Sequence, residues 1–192
     1  MLKYRHAVAY LTNCLDAGKG DSIEMLHDLL AIGDPSAAPS IERFGTEVVQ
    51  PSGERLAAGD RGGAVEHFLQ GVCGPGTRDV VEQVLPAGAF DQAVADVETF
   101  FQTELPALME WRFGPAEATR VSQPTLIVLG VDSKAVIPMF DEMNATLAEW
   151  LPQAETAELP GATHALQMMN PAGMAGLLAG FFARHPIPVS VS

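Results

Sequence analysis

Pro124-Thr-Leu-Ile-Val-Leu-Gly130 is the stretch on which the fold turns. Between its bounding Pro and Gly the residues are β-prone and scarcely alternate with polar ones. An unbroken apolar run of this length, closed by turn residues, predicts a strand covered on both faces of a parallel sheet. Downstream, Pro138 to Leu151 carries Phe140, Met143, Leu147 and Trp150 at helical spacing, which predicts an amphipathic helix. Glu155-Thr-Ala-Glu-Leu159 reads as a short strand ahead of the Pro160-Gly161 turn. Asn170-Pro171 then supplies a cap residue and a first-turn proline. The closing helix runs through Met174, Leu177, Leu178, Phe181 and Phe182 to Arg184, before Pro186. Strand, helix, strand, loop, helix is the βαβα rhythm of an open α/β sheet.

Working back toward the N-terminus, the texture is helical. Residues 6–15 read as a short helix ended near Gly18 and Gly20. Ser22 to Leu30 places Ile23, Leu26, Leu29 and Leu30 on one helical face, although Ile23 to Leu26 also fits a weak strand. Gly33 to Ser40, with two prolines, reads as a connection. Gly59-Asp60 opens a helix containing Ala64, Val65, Phe68, Leu69 and Val72, closed by Gly74-Pro75-Gly76. Thr77 is the expected cap of the next helix, whose stripe is Val80, Val81, Val84 and Leu85. Phe90 to Trp111 forms one or two helices, and Pro106 kinks or restarts them because it has no N–H to give.

The 192 residues suffice for one ordinary domain, or a core with a small lid, and 47% hydrophobic content supports a packed interior. Eleven Lys and Arg against 24 Asp and Glu give a formal charge of -13. Such a surface repels phosphate, and no Lys/Arg run focuses a positive field, so neither nucleic acid nor an anionic membrane is an expected partner. Cys14 and Cys73 show no zinc or C-x-x-C spacing and read as buried thiols in a reducing compartment. Thr12, Asn13 and Asp16 interrupt any leader-like apolar stretch, and no window approaches the roughly 20 apolar residues of a membrane span. Cytoplasmic residence is the expectation. Glu54, Asp60, Glu66 and His67 have mixed spacing that reads as a solvated helical face, so no metal and no cofactor are expected.

In open α/β sheets the reactive groups gather beyond the carboxyl ends of strands. Two loops answer that description: Gly130-Val131-Asp132-Ser133 and Gly161-Ala162-Thr163-His164. A right-handed crossover makes their strands neighbours, which brings Asp132 and His164 within reach of each other. A carboxylate that accepts the Nδ1 proton fixes the imidazole tautomer and leaves Nε2 free as a general base. Ser133 and Asp141 are rival polar sites near the strand end, and Asp132 has an alternative role as an N-cap. Trp111, Phe113 and Met139 are candidates to line a cavity between helical segment and sheet, with ordinary packing as the alternative.

The stretch PTLIVLGVDS…LPQAETAELPGATHALQMMNPAGMAGLLAGFFARHP resembles the C-terminal third of the α/β-hydrolase superfamily. In that family an acid follows a late strand, and a histidine sits in a Pro-Gly-x-x-His loop before the last helix. Asp132 matches the acid and His164 the histidine. The middle, with GDRGGAVEHFLQGVCGP and LPAGAFDQAVADVETFFQTELPALMEW, resembles the helical lid of lid-bearing bacterial members. The implied organisation is residues 1–32 as core following the nucleophile position, 33–120 as lid and 121–192 as C-terminal core. The expected fold is thus α/β, a partial α/β-hydrolase core with a short, mostly parallel sheet and a helical lid.

The departure from the family is the nucleophile. No G-x-S-x-G elbow occurs, and Ser22, in Gly20-Asp21-Ser22-Ile23-Glu24, has no following glycine to permit the tight turn. The oxyanion donors, which lie upstream of the elbow in the family, have no counterpart either. The resemblance implies a small-molecule hydrolase acting on an ester, lactone or related bond without a cofactor, inactive as this chain alone. An aspartate nucleophile in the ancestor stays open, since the elbow is where that distinction is written. The alternative is a non-catalytic protein that packs, dimerises across an exposed sheet edge as a homo-oligomer, or binds a small apolar molecule.

Overall fold

A computed structural model describes residues 38–110 and 113–186 of the chain. These residues are mostly helical, with one small parallel sheet of two strands. The helices and strands expected within residues 1–32 lie outside the described residues, as does Trp111.

The decisive run forms β1 (Leu126–Gly130) and the second expected strand forms β2 (Glu155–Leu159). They pair in parallel register from Leu126 opposite Glu155 to Gly130 opposite Leu159. The crossover contains a single helical turn, α8 (Ser133–Val136), and the amphipathic helix α9 (Met139–Trp150). Phe140 and Met143 of α9 pack with Leu129 in one cluster, and Leu147 lies against it. Coverage of the sheet is less complete than the apolar run suggests: Ile127 and Leu129 are buried, while Leu126 and Val128 are partly exposed. The following turn, α10 (Leu166–Met169), leads into α11 (Pro171–Arg184). Asn170 caps α11 by accepting from the Gly173 N–H at 2.9 Å, with Pro171 in the first turn, as the sequence pattern demands.

The helical segment differs from expectation at its prolines. Helix α1 (Ala38–Phe44) starts inside the expected connection, because Pro39 occupies the first turn, where a missing N–H costs nothing. A π-helical turn (Gly45–Val49) joins it to α2 (Gln50–Ala57). The helices α3 (Arg61–Cys73), α4 (Thr77–Val84) and α5 (Ala89–Thr99) follow, and a second π-helical turn (Phe100–Glu104) leads into α6 (Leu105–Glu110). A short helix, α7 (Pro115–Ala118), precedes the sheet.

Each π turn ends just before a proline, Pro51 or Pro106. Widening the preceding turn, so that Gln50 donates to Gly45 and Leu105 to Phe100, relieves the clash a proline ring makes with the carbonyl four residues earlier. The expected kink at Pro106 is therefore realised as a π turn. Pro51 has no N–H for the Glu47 carbonyl, and His67 Nε2 donates there instead at 3.0 Å. Asp60 caps α3 through the Gly63 N–H at 2.9 Å. Thr77 is not the cap it was expected to be. Gly76, at φ 80, holds that place, while the buried Thr77 hydroxyl donates to the Gly74 carbonyl.

Two apolar clusters hold these parts. One lies wholly among helices around Ala64, Val65, Val81, Phe90 and Val97. The other joins Phe44, Val48, Val72 and Cys73 to Leu129, Met139, Phe140 and Ala165, so the sheet shares its core with the helical segment. Among the described residues no helix is long and apolar enough to cross a membrane.

Gly130 closes β1 at a point of close backbone approach. A Cβ there would fall well inside contact distance of the Ala162 and Thr163 carbonyl oxygens. Gly130→Ala should therefore cost about 2–3 kcal/mol in urea unfolding, since backbone rather than a flexible side chain must give way. A loss no larger than that of an exposed Gly→Ala change would show that the two loops can separate freely.

Candidate functional site

The site is built from the two strand-end loops. The Val131 N–H donates to the Leu159 carbonyl at 3.0 Å, which continues the ladder one step beyond the strands. The Asp132 N–H then donates to the Ala162 carbonyl at 3.0 Å. These bonds place Asp132 and the His164 loop at the same rim, beyond the carboxyl ends of parallel strands, where sequence reasoning located them.

The side chains stand differently. Asp132 occupies the cap position of α8 but makes no side-chain cap bond, and it is exposed. Among the described residues no hydrogen bond joins it to His164. The His164 imidazole lies flat on Phe140, with ring centroids 4.2 Å apart and planes within 7°. The ring is closely packed, with only part of its surface open to solvent. Burial alone pushes its pKa down to about 4, so the imidazole is neutral at pH 7. The rival carboxylate, Asp141, is engaged elsewhere: Lys134 reaches it at 3.3 Å and Glu158 at 3.6 Å. Ser133 is buried at 1% exposure, which removes it as an accessible nucleophile.

The helical segment touches the histidine loop directly. The buried Thr163 hydroxyl donates to the Cys73 carbonyl at the end of α3, at 2.8 Å. Cys73 itself is buried, and desolvation pushes its thiol up to about 11, which suppresses the thiolate a nucleophile needs.

The expected cavity residues are scattered. Met139 is 2% exposed and belongs to the shared core, while Phe113 lies 6.4 Å from Trp150, ring to ring. Elsewhere, an apolar cavity of about 240 Å³ runs between the two π turns. Ile41, Phe44 and Val49 form one wall, and Phe101, Leu105 and Pro106 the other. Sequence reasoning passed over it; the signal was the pair of helical prolines, Pro51 and Pro106. Among the described residues no group of three or more His, Cys, Asp or Glu side chains is arranged to hold a metal ion.

Comparison with known proteins found no matching family model, no matching curated protein and no matching solved structure.

Burial of a neutral imidazole has a pH signature. With the folded pKa of His164 near 4 against 6.5 for the free group, the unfolded chain binds the proton first as pH falls. The stabilisation is therefore fully present above pH 6.5 and is lost progressively down to the folded value. Its size is at most roughly 3 kcal/mol. Urea unfolding of the wild type and of His164→Phe across this window should give curves that converge on the neutral side and separate on acidification, the variant losing less. Parallel curves would show that the ring is solvated.

Proposed function

We propose that this chain carries the acid and the histidine of an α/β-hydrolase-type site, that of a small-molecule hydrolase acting on an ester, lactone or related bond, and is inactive by itself. The observation that carries this reading is the backbone splice of the two loops, through Asp132 N–H and the Ala162 carbonyl, at the carboxyl end of a parallel strand pair. Supporting it are the Pro160-Gly161-Ala162-Thr163-His164 order, the closing helix behind it and the helical segment packed over the rim. In such a site the neutral imidazole takes the proton of a hydroxyl nucleophile as it attacks a carbonyl carbon. The carboxylate then holds the imidazolium in place. The chain contains no elbow sequence to furnish that hydroxyl, which is the ground for the proposed inactivity.

The matching test restores what is lacking. A fusion that sets the strand and G-x-S-x-G segment of a lid-bearing α/β-hydrolase before Met1 should hydrolyse p-nitrophenyl acetate or butyrate. Turnover should fall by about 10²-fold or more in its His164→Ala and Asp132→Asn forms. The unfused chain should match the buffer rate. A folded fusion without turnover, or one indifferent to both substitutions, would sink the assignment.

One observation favours the second reading, a non-catalytic protein binding a small apolar molecule: the cavity between the π turns is lined almost wholly by apolar side chains. Gly45 lies on this cavity, and a Cβ placed there meets nothing within 4 Å. If the cavity is a binding site, toluene should raise Tm saturably in the wild type and have no effect on Gly45→Leu, which fills the space. Equal responses of the two proteins would dismiss this reading.

A further inference from the structure

A thioether sulfur holds the backbone beside His164. The Thr163 N–H donates to Met169 Sδ at 3.3 Å, and the Thr163 hydroxyl lies 3.0 Å from the same sulfur. On the other side, the buried Ala165 packs with Cys73 in the shared core. A thioether is a weak acceptor. Thr163 is nevertheless 4% exposed, so water does not replace it, and the loop's register depends on that sulfur. The same loop lays the imidazole on Phe140.

We infer that Met169 is a positioning residue for His164, and that oxidation of its sulfur by a peroxide releases the imidazole from Phe140. In that reaction the peroxide O–O bond breaks, one oxygen forms a bond to sulfur, and the other leaves as water or alcohol. Sulfur loses two electrons and the peroxide gains them. The product carries an additional polar oxygen on a sulfur already in contact with the Thr163 amide and hydroxyl, so the loop must shift to admit it. Met169 keeps partial exposure, whereas Cys73 is buried and its thiol is held protonated, so the oxidant reaches Met169 before Cys73. The functional meaning rests on the proposed role of His164; the positioning does not.

The experiment follows the His164 imidazole resonances of the isotope-labelled full chain through an acid-to-neutral titration. Desolvation is the cause of the depressed midpoint, and the ionisable groups on the elements beside the ring are the buried Cys73 thiol and the exposed Asp132 carboxylate. The native midpoint should lie near 4. In Met169→Leu, and in native protein treated with hydrogen peroxide, it should rise by about one pH unit or more as the ring meets water. Met169→Gln places a polar oxygen where the sulfoxide oxygen would lie and peroxide cannot modify it, so its midpoint should be raised before treatment and unchanged by it. Peptide mass spectrometry locates the added oxygen.

An unchanged midpoint in Met169→Leu and in the treated native protein overturns the inference. So does a further rise in Met169→Gln on treatment, which would trace the effect to other methionines. Native protein that resists oxidation at Met169 overturns the oxidant half. Should Met169→Leu fail to fold, the comparison of native and Met169→Gln under peroxide decides alone. Ester turnover is not read in any arm, so failure here leaves the hydrolase proposal standing, and failure of that proposal leaves this one standing.

Discussion

Two backbone hydrogen bonds past the end of a five-residue strand hold the loops that carry Asp132 and His164, and the rest of the site is arranged around them. A parallel pair of two short strands has few rungs of its own. Carrying the ladder on through Val131 N–H to Leu159 and Asp132 N–H to Ala162 turns loop residues into an extension of the sheet. Gly130 permits this because the Ala162 and Thr163 carbonyls occupy the space a Cβ would need. The bonds fix the backbone of both loops while leaving the Asp132 and His164 side chains to be oriented by what packs on them.

What packs on them comes from the helical segment and from α9. Thr163 is tied to the Cys73 carbonyl, Ala165 packs with Cys73, and His164 lies on Phe140. Phe140 in turn shares its cluster with Phe44 and Val48 of the first helices. The expected boundary at residue 120 thus divides the sequence by texture but does not divide the core. A helical segment that contributes Phe44, Val48, Val72 and Cys73 to a shared core cannot swing as a free lid without exposing Leu129, Met139 and Phe140 to water.

Much of this was legible in the residues. The apolar run, the Phe140-Met143-Leu147 stripe and the Asn170-Pro171 cap each state a local preference strong enough to survive into the fold. Loop placement was legible too, because a parallel crossover admits few arrangements. The misreadings share a different cause. Pro39 reads as a breaker but sits in the first turn of a helix, and the widened turns before Pro51 and Pro106 depend on hydrogen bonds that shift by one residue, which no side-chain pattern records. Thr77 lost the cap to Gly76 because a left-handed glycine already ended the connection. His67 found its role by donating to a carbonyl that Pro51 leaves without a partner, a distant consequence of a local defect. The aromatic stack on His164 was equally invisible, since Phe140 reads as plain helix core.

That stack bears on how far the site is from chemistry. A general base works best with a pKa near the operating pH. Burial against Phe140 moves His164 away from that condition, since desolvation penalises the imidazolium that catalysis must form. In a working triad the carboxylate offsets the penalty by accepting the Nδ1 proton and stabilising the charge. Here Asp132 stands on the neighbouring loop, exposed and without that bond, so the histidine experiences the cost of its position without the compensation. Recruiting His164 as a base therefore requires a local change, the Asp132 carboxylate turning inward to the ring, in addition to a nucleophile.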